Sequence, residues 1–131
     1  ATGGAKNGFS CPDNMVFDPK GNLWFTSDMS GSSIGKVPYV EFGNNSLFVF
    51  IRSGLHAGEI IRVANAPVDA EFTGPCFSPD YKTLFLSVQH PGEESKTKEN
   101  PTSHWPDGDI PKPSVVTLSG SFLDKVVEGR I

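Results

Sequence analysis

A strand–turn–strand pattern occurs twice in this chain, 60 positions apart, and this repeat limits the folds available to it. The first copy is Met15-Val16-Phe17-Asp18-Pro19-Lys20-Gly21-Asn22-Leu23-Trp24-Phe25-Thr26, and the second is Pro75-Cys76-Phe77-Ser78-Pro79-Asp80-Tyr81-Lys82-Thr83-Leu84-Phe85-Leu86-Ser87. Phe17 matches Phe77, Pro19 matches Pro79, and the second copy then carries one extra turn residue. Asp-Pro-Lys-Gly-Asn and Ser-Pro-Asp-Tyr-Lys suit tight turns, because proline pre-sets its own backbone angle there. The strands behind the turns, Leu23 to Thr26 and Thr83 to Val88, are rich in β-branched and aromatic residues. Two further strand candidates follow each hairpin: Ser46 to Arg52 and Glu59 to Ala64, then Ser114 to Leu118 and Phe122 to Val127.

The expected fold is therefore all-β, with two units of four antiparallel strands over 9–66 and 67–131. Four strands per repeat is the pattern of a β-propeller blade. Two blades do not close a ring, since propellers typically have about 4 to 8. The chain is thus read as part of a longer propeller, or as one of several copies that complete it; three two-blade chains give a six-bladed ring. Surplus length sits in two loops, Ser30 to Asn45 and Pro91 to Pro113. The second holds Pro91, Pro101, Pro106, Pro111 and Pro113, and a charged run from Glu93 to Glu99. Glu93 to Asn100 is expected to be mobile, with Trp105 anchoring the remainder.

Composition agrees with short strands and many turns. The chain has 14 Gly and 11 Pro among 131 residues, a share above the usual value of about 12%. No window shows sustained helical apolar spacing, so little helix is expected. A net charge of -4 with scattered Lys and Arg leaves no broad basic face, which argues against nucleic acid as a partner. No apolar run approaches the roughly 20 residues of a membrane span. Ala1 to Gly8 lacks the basic and apolar regions of a signal peptide, which leaves export open. Cys11 and Cys76 are too few for a disulfide framework; they read as two buried or half-buried free thiols, with a single bridge as the alternative.

Chemistry-bearing residues gather before the first strand of each unit. Asp13 and Asn14 precede one, Glu71 and Thr73 the other, and the 60-residue offset aligns Asp13 with Thr73. Both acids are thus expected near the start of an innermost strand, at the channel mouth. Converging carboxylate and amide oxygens suit hard cations such as calcium, although two carboxylates alone do not complete a site of six to eight ligands. The plainer alternative is a turn-capping Asp and a solvated Glu. His56, His90 and His104 have no regular ligand spacing and read as ordinary histidines. Asp107 and Asp109 read as turn residues.

Pro12-Asp13-Asn14 with its following hairpin, Glu71-Phe72-Thr73-Gly74-Pro75, Gln89-His90-Pro91-Gly92-Glu93 and Ser103-His104-Trp105-Pro106-Asp107 together resemble segments of the secreted PhoX-type alkaline phosphatases. The resemblance implies a six-bladed propeller carrying calcium and iron on its axis, phosphate monoester hydrolysis, and a periplasmic or secreted parent. It implies that Asp13 and Glu71 are metal ligands, with Asn14 as a further candidate. His90 and Glu93 match family positions without an assigned metal contact, and His104 and Trp105 are expected to shape loop packing. The match reaches only the C-terminal third of such an enzyme, without its other metal ligands, so this chain alone is expected to be inactive, its partners being a small phosphate ester in the parent and the remaining blades or further copies of itself. The alternatives are a non-enzymatic propeller binding module and a calcium-dependent propeller lactonase. The binding module would be favoured if Asp13 and Glu71 pointed away from each other.

Overall fold

The computed structural model describes residues 8–131. Seven strands form two antiparallel meanders. The first sheet runs β1 (Pro12–Phe17), β2 (Leu23–Ser27), β3 (Ser46–Phe50) and β4 (Ile60–Asn65), in that spatial order. The second runs β5 (Glu71–Phe77), β6 (Thr83–Gln89) and β7 (Ser114–Ser119). A short 3-10 turn, Tyr39–Phe42, lies in the first long loop.

Each repeated hairpin is closed by polar groups that its turn sequence supplies. Asp18 is buried and accepts four hydrogen bonds: from the Lys20 and Asn22 amides at 2.9 and 3.0 Å, from Asn22 Nδ2 at 2.8 Å, and from Trp24 Nε1 at 3.1 Å. Gly21 takes a φ of +75°, a region closed to most side chains. In the second copy Ser78 replaces Asp18, and its Oγ accepts the Thr83 amide at 3.0 Å. Both first strands also bulge at corresponding places, between Pro12 and Met15 and between Thr73 and Cys76. A bulge re-aims the side chains around it, here those that carry the chemistry.

The alternation within the strands sorts residues between two faces. Trp24, Leu47 and Val49 of the first sheet pack with Phe72, Leu84, Leu86 and Val88 of the second in one buried cluster. The opposite face of the first sheet holds a smaller cluster of Phe25, Phe48 and Ile60 under Phe9. Met15 and Phe17 at the edge of the first sheet stay exposed, as do Phe85 and Val115 on the second. Trp105 packs against the main cluster, so the second long loop is anchored where expected.

Two sequence expectations need correction. Phe122 to Val127, read as the eighth strand, lies in the helix α1 (Ser121–Val127), so the second sheet has three strands rather than four. The reason is spacing: Leu123, Val126 and Val127 are buried together, and their i, i+3, i+4 positions form a helical stripe rather than an alternation. Gly120 and Gly129, with φ of +107° and +71°, bracket the turn. Cys11 and Cys76 are free, as read, but both are exposed rather than buried.

The face assignment is testable with neighbouring residues. Leu84 is fully buried and Phe85 is 41% exposed on the other face. Leu84→Ala should lower unfolding stability by about 2–5 kcal/mol, and Phe85→Ala by clearly less, in urea denaturation. Equal losses would contradict the register.

Candidate metal centre

Three carboxylates from three strand ends converge at one edge of the two sheets. Asp13 sits in the β1 bulge. Asp28 follows β2 directly, and its amide donates to the Cys11 carbonyl at 2.8 Å, which continues the β1–β2 ladder one step past the Pro12–Ser27 pair. Glu71 opens β5 on the second sheet. One donor oxygen from each of the three lies within 4.8 Å of the others. Asp13 and Asp28 are exposed, whereas Glu71 is only 7% exposed.

Glu71 is held asymmetrically. Its Oε1 lies 3.3 Å from His90 Nε2, while its buried Oε2 has no hydrogen-bond partner. His90 Nδ1 faces the Asp69 carbonyl at 3.3 Å and Glu93 Oε2 at 3.4 Å. All three polar partners of this imidazole are thus acceptors. Burial raises the Glu71 pKa above its ordinary 4.5, the Asp28 charge raises it further, and His90 opposes both. Partial burial works against a charged His90, but the Asp69 carbonyl, Glu93 and Glu71 outweigh it and raise its pKa above 6.5. Asp28, Asn45, Asp69, Glu71, His90 and Glu93 line a cavity of about 310 Å³ beside the cluster.

Asn14 joins the two bulges. Its Oδ1 accepts the Thr73 hydroxyl at 2.5 Å and the Gly74 amide at 2.7 Å, and its Nδ2 donates to Asp13 Oδ2 at 2.6 Å. Gly74 is the 60-residue counterpart of Asn14, so the bond crosses between equivalent points of the repeat. Both lone pairs of the amide oxygen are taken in this arrangement, which orients Asp13 and ties β1 to β5.

The structure therefore brings Asp13 and Glu71 together, sets Asn14 beside them, and places His90 and Glu93 on the Glu71 side. His56 pairs with Glu59 in the β3–β4 turn at 3.1 Å, and His104 faces the Asp109 carbonyl at 3.2 Å. Asp28, Asp69 and Asn45 were not singled out from the sequence. Asp28 had a usable signal, because extending the first hairpin past Ser27 sets position 28 opposite the start of β1. Asp69 and His90 carry φ of +56° and +36°, and Cys11 has +50°. Left-handed backbone at three non-glycine residues around one cluster is strain of the kind that gathers at functional sites, and no sequence pattern announces it.

The His90 pairing has a pH signature in the metal-free chain. A folded-state pKa above the ordinary 6.5 means that the stabilisation is fully present below 6.5 and is lost as pH rises through the folded value. An NMR titration of the imidazole should show a midpoint above 6.5, lowered by Glu93→Gln. A wild-type midpoint at or below 6.5 would contradict the pairing.

Comparison with known proteins gives a consistent result. Residues 2–92 match the family model for alkaline phosphatase PhoX. Among solved structures, Pseudomonas fluorescens PhoX in complex with vanadate, a transition state analogue, matches with a TM-score of 0.66 and 34% sequence identity. The match covers 86% of this chain and 18% of that one, so the chain spans less than a fifth of the enzyme's length. No curated protein matches. On the family match, which takes in the β1–β2 repeat, Asp13, Asp28, Glu71 and His90, the chain belongs to the PhoX alkaline phosphatase family.

Proposed function

We propose that this chain is part of a metal-dependent phosphate monoester hydrolase, to which it contributes Asp13, Asp28 and Glu71 as cation ligands. The observation that carries the reading is the buried Glu71 Oε2, left without a hydrogen-bond partner beside two further carboxylates. A buried, unsatisfied carboxylate oxygen costs free energy in the absence of a partner, and a cation between the three acids would satisfy it and relieve their repulsion. An all-oxygen donor set fits a hard cation, calcium first and iron second. A bound metal would supply Lewis-acid polarisation and neutralise phosphoryl charge.

The chain's own residues have supporting tasks. Glu71 and Asp28 face the cavity, Asn14 orients Asp13, and His90 holds Oε1 of Glu71, which leaves Oε2 free for a cation. The convergence of Asp13 and Glu71 speaks against a binding module with purely structural acids. The vanadate-bound relative supports a phosphate ester as substrate of the complete protein. The two meanders serve as blades of a six-bladed propeller, with the exposed sheet faces covered by the remaining blades or by further copies. The parent works in the periplasm or outside the cell, and no helix among the described residues is long and apolar enough to cross a membrane. Three carboxylates fall short of the six to eight oxygens calcium takes, so the chain alone is inactive.

Calorimetric titration of metal-free chain with calcium tests this. Wild type should bind, and Asp28→Asn and Glu71→Gln should each weaken binding by about tenfold or more. No hydrolysis of p-nitrophenyl phosphate above background is expected. Equal affinities in wild type and both variants would overturn the ligand assignment. Turnover that scales with chain concentration and vanishes in Asp13→Ala would overturn the inactivity.

A further inference from the structure

Asn45 stands immediately before β3 and is 2% exposed. Its Oδ1 accepts the Met29 amide at 2.6 Å. Its Nδ2 donates to the Met29 carbonyl at 2.9 Å and to the Ala70 carbonyl at 3.3 Å. Met29 is the residue after Asp28, and Ala70 is the residue before Glu71. One buried amide therefore grips the backbone next to two of the three acids, although these acids belong to different sheets. No other side-chain hydrogen bond among the described residues joins these two backbone segments.

We propose that Asn45 is a positioning residue that sets the separation of Asp28 and Glu71, and with it the cation affinity of the cluster; this rests on the cation reading above. A buried amide must have its hydrogen bonds satisfied, and here they are met only if Met29 and Ala70 stay close. The Asn45 side chain makes its hydrogen bonds to backbone and none to the three carboxylates. Its effect passes through two backbone positions, each adjacent to a carboxylate, as outer partners orient ligands in metal sites.

A buried asparagine can also serve stability alone, and Asn44 provides the control. Its Nδ2 donates to the carbonyls of Ala66 and Pro67 at 2.7 and 2.9 Å, a similar double grip that is not adjacent to any of the three acids. The experiment titrates terbium(III), a hard oxygen-seeking ion, into wild type, Asn45→Ala, Asn44→Ala and Glu71→Gln. It reads the dissociation constant and the luminescence lifetimes in H2O and D2O, which count water on the ion, and circular dichroism confirms folding. Asn45→Ser, which keeps a hydroxyl too short for both grips, replaces Asn45→Ala if the latter does not fold.

Asn45→Ala should weaken binding by about 10–100-fold and raise the water count, as a displaced carboxylate leaves the ion. Asn44→Ala should lose stability while keeping affinity and water count. A folded Asn45 variant whose affinity and lifetimes match wild type overturns the positioning role and leaves the cation reading standing. Wild type that binds no terbium, or binds it no better than Glu71→Gln, overturns the cation reading and this inference with it.

Discussion

Burial of Glu71 beside Asp28, with Asp13 close by, is the constraint that the surrounding strand ends must meet. Like charges this close oppose folding unless other interactions hold them. The raised Glu71 pKa, caused by burial and the Asp28 charge, is the local sign of that opposition. The holding free energy comes from the apolar interface between the sheets, where Trp24, Val49, Leu84 and Val88 are removed from water. That interface is non-directional. It can hold the sheets together, but it cannot set where carboxylate oxygens lie.

Placement is the work of directional bonds at the strand ends. Asn14 links the two bulges and holds Asp13, His90 holds Glu71 Oε1, and Asn45 grips the backbone beside Asp28 and Glu71. Each of these groups bridges segments far apart in sequence. The strained backbone at Cys11, Asp69 and His90 lies in the same shell. Strain there is sustained because hydrogen bonds on either side leave the chain few alternatives.

The division between legible and illegible features follows from this. Hairpins were readable because their information is local: a proline turn, a glycine with positive φ, and alternation on either side. The repeat placed Asp13 and Glu71 at equivalent strand starts, and both arrive at the cluster. Helix α1 is hard to read because only three residues, Leu123, Val126 and Val127, carry its i, i+3, i+4 stripe, and their joint burial against the core identifies it as a helix face. Asp28 could have been found by extending the first hairpin's register. Asn45 could not, because its bonds reach 16 and 25 residues away and nothing in its neighbours marks them. Buried polar clamps are written in the tertiary structure, whereas turn chemistry is written in the sequence.

Separating holding from placement also fixes how stability and ligand affinity relate in this chain. A cation that binds only the folded cluster stabilises it by mass action, so any substitution that unfolds the chain lowers apparent binding. Intrinsic affinity of the folded state is a different quantity. It depends on the separation of three oxygens within a 4.8 Å cluster, which a void in the sheet interface does not reach directly. Substitutions in the interface therefore act on the folded fraction, and substitutions at the strand-end amides act on the cluster itself. Asn14 and Asn45 belong to the second group, since their bonds fix the strand ends that carry the acids. That is why a buried asparagine outside the carboxylate cluster can matter as much to its geometry as a carboxylate within it.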